Sequence, residues 1–233
     1  MVKNKIEKEL RALANPVKAL DLARFFKTGQ NQYGAGDVFL GIMVPQQRAV
    51  AKNNMDATLA EIQTLLNSKI HEFRLTALLV LILQYAGADC RPRRNYVDFY
   101  LKNTNNINNW DLVDLSAPKI LGDYLLSRNR KLLLKLAHSG NLWERRIAII
   151  STLAFIQENQ FGDTIKIATI LLNDSHDLIH KAVGWMLREV GKRNLETELE
   201  FLEEYSARLP RTMLRYAIEK FSESKRKKFL NKK

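Results

Sequence analysis

Ser139-Gly-Asn-Leu-Trp-Glu-Arg-Arg-Ile-Ala-Ile-Ile-Ser-Thr-Leu-Ala-Phe-Ile-Gln157 opens on a turn triplet and runs straight into a strongly periodic apolar segment. Glycine and asparagine punctuate the chain, and the apolar residues that follow recur at three- and four-residue steps, which predicts a helix over 142–157. Asn173-Asp174-Ser175 and the asparagine-rich run Asn103-Thr-Asn-Asn-Ile-Asn-Asn109 precede further segments of the same kind. Working outward, the spacing predicts helices at 3–14, 16–28, 45–54, 57–67, 70–86, 92–103, 110–126, 130–138, 142–157, 164–173, 177–191, 195–207, 211–221 and 223–230. Three of the five prolines fall where a helix would begin: Asn15-Pro16 reads as a cap followed by proline at the first helical position, and Val44-Pro45 and Arg91-Pro92 open later patterns. Strand signals are nearly absent, so the expected fold class is all-α.

The more hydrophobic helices repeat. Aligning their starts puts Arg74, Trp110, Arg146, Lys181 and Arg215 in register at steps of 36, 36, 35 and 34 residues. A period in that range fits a two-helix repeat, and such repeats stack into a curved solenoid whose second helices line the concave face. Four of the five register positions are cationic, which would space positive charges about 10 Å apart along one groove. Ordinary solvated side chains are the alternative, although cations near a helix start run against the helix dipole.

Composition agrees with one or at most two compact soluble domains: 233 residues, 46% hydrophobic and 27% charged, with a mean hydropathy of −0.26. No apolar run approaches the ~18 to 20 residues of a membrane span, and the N-terminus lacks the apolar core of a signal peptide. The single cysteine, Cys90, forms no intrachain disulfide, so a cytoplasmic location is expected. The 37 Lys and Arg against 25 Asp and Glu leave a net charge of +12. Such an excess costs self-repulsion and points to a polyanionic partner. Six of the positive charges (Lys225, Arg226, Lys227, Lys228, Lys232 and Lys233) crowd the last nine residues. Residues 1–222 are therefore expected to form a single solenoid domain and 223–233 a basic tail.

The Trp110 segment departs from its register partners, carrying an aromatic and two acids in Asn109-Trp110-Asp111-Leu112-Val113-Asp114. Trp110 and Asp114 are four apart and share a helical face, whereas Asp111 is displaced to the side. An acid in a basic groove weakens phosphate binding, so it is either buried in a structural pair or does chemistry. Trp185 follows Lys181 by four residues on its own helix.

Asn15-Pro-x-Lys-Ala19, Phe39-Leu-Gly-Ile-x-x-Pro45, Trp110-Asp-x-Val-Asp114, Leu121-Gly-Asp123, Trp143-x-x-Arg146-x-Ala148 and Lys181-Ala-Val-Gly-Trp185-x-Leu-Arg-Glu189 together resemble the AlkD-like family of alkylpurine DNA glycosylases. Six strings in order, from residue 15 to about 190, cover most of the chain. The resemblance implies a curved stack of about six HEAT-like two-helix repeats with a basic concave groove. It also implies hydrolytic excision of N3- or N7-alkylated purines from double-stranded DNA, leaving an abasic site without inserting the lesion into a base pocket. Carried over by position, Trp110, Asp114 and Trp185 would surround the deoxyribose, and Arg146 would contact the DNA backbone beside them. Arg74, Lys181, Arg215 and Arg48 are further candidate phosphate contacts. The implied protein is a monomer, needs no cofactor or metal, and is nucleoid-associated when bound to DNA.

The chain departs from the family pattern at Asn109, where a second tryptophan is common, and in the glycine-rich stretch Lys27-Thr-Gly-Gln-Asn-Gln-Tyr-Gly-Ala-Gly-Asp37. Tyr33 would either reach DNA from this loop or belong to a surface turn. Gly34-Ala-Gly36 lacks the third glycine and flanking strand of a dinucleotide motif. His176 and His180 share a helix face but lack a third ligand. Trp143 is expected in the core. Two further functions share the fold: a non-catalytic solenoid that prefers branched or distorted DNA, and a HEAT-like protein scaffold without lesion preference.

Overall fold

The structure is a computed structural model that describes residues 5–231, without the side chains of residues 90–92. Residues 3–4, Lys232 and Lys233 and the side chain of Cys90 therefore lie outside the described residues. The chain divides into two compact units, one ending at Ser116 and the other beginning at Ala117. Both are helical, and the fold class is all-α. Among the described residues no helix is long and apolar enough to cross a membrane.

The first unit contains α1 (Lys5–Ala12), α2 (Pro16–Phe25), α3 (Val44–Lys52), α4 (Leu59–Leu66), α5 (His71–Gly87), α6 (Cys90–Lys102) and α7 (Trp110–Ala117), whose last residue crosses the boundary. The caps follow the sequence. Asn15 Oδ1 accepts the Lys18 N–H at 3.1 Å ahead of Pro16, and Thr58 and Glu61 exchange hydrogen bonds in a capping box at the start of α4. Helix α5 is buried on all sides from His71 to Ile82 and packs against α3 and α4, as expected of a helix apolar around its whole circumference. By contrast no residue of α2 is buried, and Val17, Leu20 and Phe25 are exposed.

The Phe39-Leu-Gly-Ile string has a local reason. Glu72, 1% exposed on the first turn of α5, accepts the backbone N–H groups of Leu40 at 3.0 Å, Gly41 at 2.8 Å and Ile42 at 3.2 Å. Hydrogen bonds to an ionised acceptor are the strong ones, each about 1.5–3 kcal/mol. Gly41 holds φ +82°, and a Cβ there would collide with the Asn15 carbonyl oxygen. Only glycine lets the strap lie against the start of α2 while its N–H reaches Glu72.

The second unit begins with a π-helical segment (Pro118–Gly122), followed by α8 (Asp123–Leu125), α9 (Lys131–Ala137), α10 (Leu142–Ser151), α11 (Leu153–Gln157), α12 (Gly162–Ile170), α13 (Asp177–Gly191), α14 (Leu195–Tyr205), α15 (Arg211–Ala217), a 3-10 turn (Ile218–Lys220) and α16 (Glu223–Leu230). Two predicted continuous helices are thus interrupted. Pro118 has no N–H to return to the carbonyl four residues earlier, and the backbone widens to π geometry after it. At Thr152 the hydroxyl turns back onto the Ile149 carbonyl at 2.6 Å, and the helix breaks between Ser151 and Leu153. Both expected turns are held by one side chain: Arg145 donates to the Ser139 and Gly140 carbonyls at 3.0 and 3.1 Å and pairs with Asp174 at 2.6 Å. The basic C-terminal segment is ordered over α16, capped by Ser222 and anchored by Phe229, which is 1% exposed.

Helix α13 packs against α10, α14 and α15. Its Gly184, within the Lys181–Trp185 string, faces α15 so closely that a Cβ would overlap the Met213 carbonyl oxygen and stand 2.6 Å from Tyr216 Cβ. Gly184→Ala is expected to destabilise the protein by about 1–3 kcal/mol despite the gain in helix propensity, because backbone cannot yield as a side chain can. A lower midpoint in chemical denaturation would show it; an equal or higher one would mean that the two helices can move apart freely.

Candidate functional site

Helix α7 positions the expected chemical residues of the first unit. Asn109, fully buried, accepts the Trp110 N–H on Oδ1 at 2.8 Å and donates from Nδ2 to Asp37 at 3.4 Å. It therefore starts the helix from inside the protein. Trp110 is half-buried. Its indole stacks on Phe26, with centroids 5.2 Å apart and planes 17° apart, and meets Phe25 edge-on at 5.8 Å. Phe25 is 62% exposed and Phe26 is buried, so one aromatic fixes the indole from below while the other flanks it in solvent. Asp114, one turn later, is half-buried. Its negative charge reaches Tyr100, whose hydroxyl is pushed well above the ordinary tyrosine range, first by complete burial and then by that charge, against the lowering effect of its hydrogen bond to Ser116 at 3.0 Å.

Asp111 resolves the sequence alternative for the displaced acid: it is in a buried pair. Its Oδ2 stands 2.8 Å from His71 Nε2, and the other ring nitrogen of His71 faces Asp37 Oδ2 at 3.3 Å. Arg74 completes the cluster, donating from one terminal nitrogen to Asp37 at 2.8 Å and from the other to the Ser68 carbonyl at 2.9 Å. Burial pulls the His71 imidazolium pKa down, but the Asp111 charge and hydrogen bonds to both carboxylates outweigh it and hold the value up at about 9. Burial raises the Asp37 carboxyl, and its bonds to His71 and Arg74 more than reverse that, leaving it below the ordinary range. Two carboxylates face two cations with no net charge, and the His71 ring stacks on Phe39 at 4.7 Å and tilts against Phe26 at 4.9 Å, beneath Trp110.

The glycine-rich stretch delivers Asp37 to this cluster. Lys27, Asn31 and Gly36 adopt positive φ, Gly34 N–H closes onto the Lys27 carbonyl at 3.2 Å, and an isolated parallel bridge joins Val38 to Ile70. Tyr33 is half-buried in the loop.

Two of the expected phosphate contacts lie in the interior. Arg74 and Arg146 are each 4% exposed, the first committed to Asp37 and Ser68, the second donating to the Leu178 carbonyl. At both positions the guanidinium ties neighbouring backbone together. Arg48 and Arg215 are exposed, and Lys181 is half-exposed and paired with Asp177 at 2.7 Å. Trp185 is half-buried in the second unit, its Nε1–H donating to Glu189 at 3.0 Å. Trp143 is in the core, 9% exposed. His176 caps α13 by accepting the Leu178 N–H at 3.1 Å, and His180 bonds the Asp174 carbonyl. Sequence reasoning missed Phe25, Phe26, His71 and Asp37. For the pair His71 and Asp37 no local spacing exists, since they are 34 residues apart.

The His71 pKa fixes a pH window. A value of about 9 in the folded state against 6.5 unfolded gives stabilisation that is complete below about pH 6.5 and is lost as pH rises through 9. Denaturation midpoints should therefore fall between pH 7 and 10 by the equivalent of up to about 3 kcal/mol. His71→Gln should be less stable at pH 7 and should flatten that slope; an unchanged slope would remove His71 as its source.

No curated protein matches the chain. A solved structure described as a predicted DNA alkylation repair enzyme from Enterococcus faecalis is similar to it in fold, with a TM-score of 0.70 at 19% identity over 90% of this chain and 97% of that one. The family model described as DNA alkylation repair enzyme matches residues 6–221, which span the Glu72-bound strap, the Trp110 helix and the Gly184 crossing alike. The chain belongs to the DNA alkylation repair enzyme family.

Proposed function

We propose that the protein is a monofunctional DNA glycosylase that hydrolyses the N-glycosidic bond of N3- or N7-alkylated purines in duplex DNA. The observation that carries this reading is the placement of Asp114 on α7, half-buried and one turn from an indole that is seated on Phe26. Alkylation at N3 or N7 already makes the purine a cationic leaving group. As the bond to C1′ breaks, its electron pair leaves with the base as a neutral purine and positive charge develops on the sugar. A carboxylate held near that sugar stabilises the charge and orients the water whose oxygen bonds to C1′; the added water gives up a proton to solvent, leaving a neutral abasic site. Loss of one such preorganised group costs about 3 kcal/mol. The indole face of Trp110 favours the same developing cation by roughly 0.5–2 kcal/mol. Exposed Phe25 extends that aromatic surface.

Phosphate contacts are assigned to Arg48, Arg215 and Lys181, with the chain's excess of +12 supplying a sequence-independent attraction. The role expected of Trp185 rests on the resemblance, as does a groove built from HEAT-like repeats. The reading takes the protein as a monomer that needs neither metal nor cofactor.

Single-turnover release of 7-methylguanine and 3-methyladenine from methylated duplex DNA tests the proposal. The wild-type chain should release base well above spontaneous depurination, and Asp114→Asn should lower the rate about 100-fold or more while binding DNA as well or better. Binding without release by the wild type would overturn it in favour of a non-catalytic binder.

A further inference from the structure

The second unit holds a cavity of about 350 Å³ formed by α13, the start of α14, the 3-10 turn and the start of α16. Four cations line it, Arg188, Lys192, Lys220 and Lys225, and its apolar side is made by Leu195 and Phe221. Part of the charge is compensated: Arg188 pairs with Glu219, Lys192 with Glu189 at 2.6 Å, and Lys220 with Glu219 at 3.4 Å. Two acids against four cations leave an excess of two positive charges around the opening.

Two of the residues that line the cavity each carry a buried polar atom without a hydrogen-bond partner among the described residues. One is Glu198 Oε1, on a side chain that is 2% exposed; the other is Arg188 Nε. Gly191 makes room for the Glu198 carboxyl, since a Cβ at that position would overlap it. Arg188 Nε also stands 3.9 Å from Glu189 Oε1, too far for a hydrogen bond, and a buried polar group left without one costs about 1–3 kcal/mol, which a ligand able to reach it relieves. The charged groups lining the cavity or paired with its lining are Arg188, Glu189 and Lys192 on α13, Glu219 and Lys220 on the turn, and Lys225 on α16. Burial pushes the Glu198 carboxyl up to about 8, outweighing the opposite pull of Arg188. At neutral pH the acid is therefore largely protonated and able to donate.

We propose that this cavity binds a phosphate group, with Arg188 Nε–H, the three lysines and the Glu198 carboxyl O–H directed at its oxygens. Protonated, Glu198 adds a donor without adding repulsion; ionised, it would oppose the ligand. The volume lies within the range of small-ligand sites, enough for a phosphate carrying an organic group against Leu195 and Phe221. The site is independent of the α7 chemistry. The same phosphate chemistry occurs in small phosphate monoesters and in the DNA backbone, and the test separates them.

Titration of the full chain by calorimetry and amide NMR at pH 7, with inorganic phosphate, a nucleoside monophosphate and a short unmodified duplex as probes, should show saturable binding that perturbs α13 and α16. Lys220→Glu/Lys225→Glu should weaken it at least about tenfold, a larger loss than Lys166→Glu gives as an exposed control on α12. Affinity should fall between pH 7 and 9 in the wild type, and Glu198→Gln should retain binding while abolishing that fall. A response only to the duplex assigns the site to the DNA backbone, and a response to the small probes assigns it to a phosphate monoester. The proposal is overturned if no probe binds, or if the double variant loses no more affinity than Lys166→Glu. Thermal unfolding checks that each variant is folded, and Lys192→Gln replaces the double variant if that one is not.

Discussion

The first unit depends on a closed set of four buried charges. Asp37, His71, Arg74 and Asp111 come from a loop, two positions on α5 and the first turn of α7, and none of the four side chains is more than 10% exposed. Removing charges from water costs several kcal/mol per ion, and their mutual attraction offsets this only when every partner is present. The cluster is therefore a condition on the fold more than a source of stability. It closes only when the loop, α5 and α7 are in place together, and in closing it sets the ring of His71 under Phe26 and Phe39, on which Trp110 rests. The proposed chemistry at Asp114 stands one helical turn beyond that support.

Packing in the second unit follows a different rule. There the close crossing of α13 and α15 at Gly184 and the staple of Arg145 across two turns fix the helices, and the charged groups act at helix ends. Arg146 belongs to the same logic, its guanidinium spent on the Leu178 carbonyl at the start of α13. A cation at a helix start, opposed by the dipole, gains instead from the carbonyl of a neighbouring element.

Much of this was legible in the chain. Turn residues, caps and the three- to four-residue apolar rhythm mark the helices, because those signals act over a few residues. The interruptions at Pro118 and Thr152 were missed, since the apolar rhythm runs through both while the backbone hydrogen bonds do not. The register of Arg74 and Arg146 was visible, but not its direction: periodicity shows that positions share a face without showing whether that face meets solvent or protein. Asp111 and Asp114 are three residues apart and chemically identical, and the pairing of Asp111 with His71, 40 residues away in sequence, has no local signature. The long-range partners Asp37 and Glu72 carry no local signal at all.

The glycine-rich stretch between α2 and the Glu72-bound strap looks like surface slack, yet its end is part of the interior. Because Asp37 must arrive between His71 and Arg74, the length of chain from Phe26 to Asp37 is constrained as a core helix is, even though its middle, Gly29 to Gln32, is exposed.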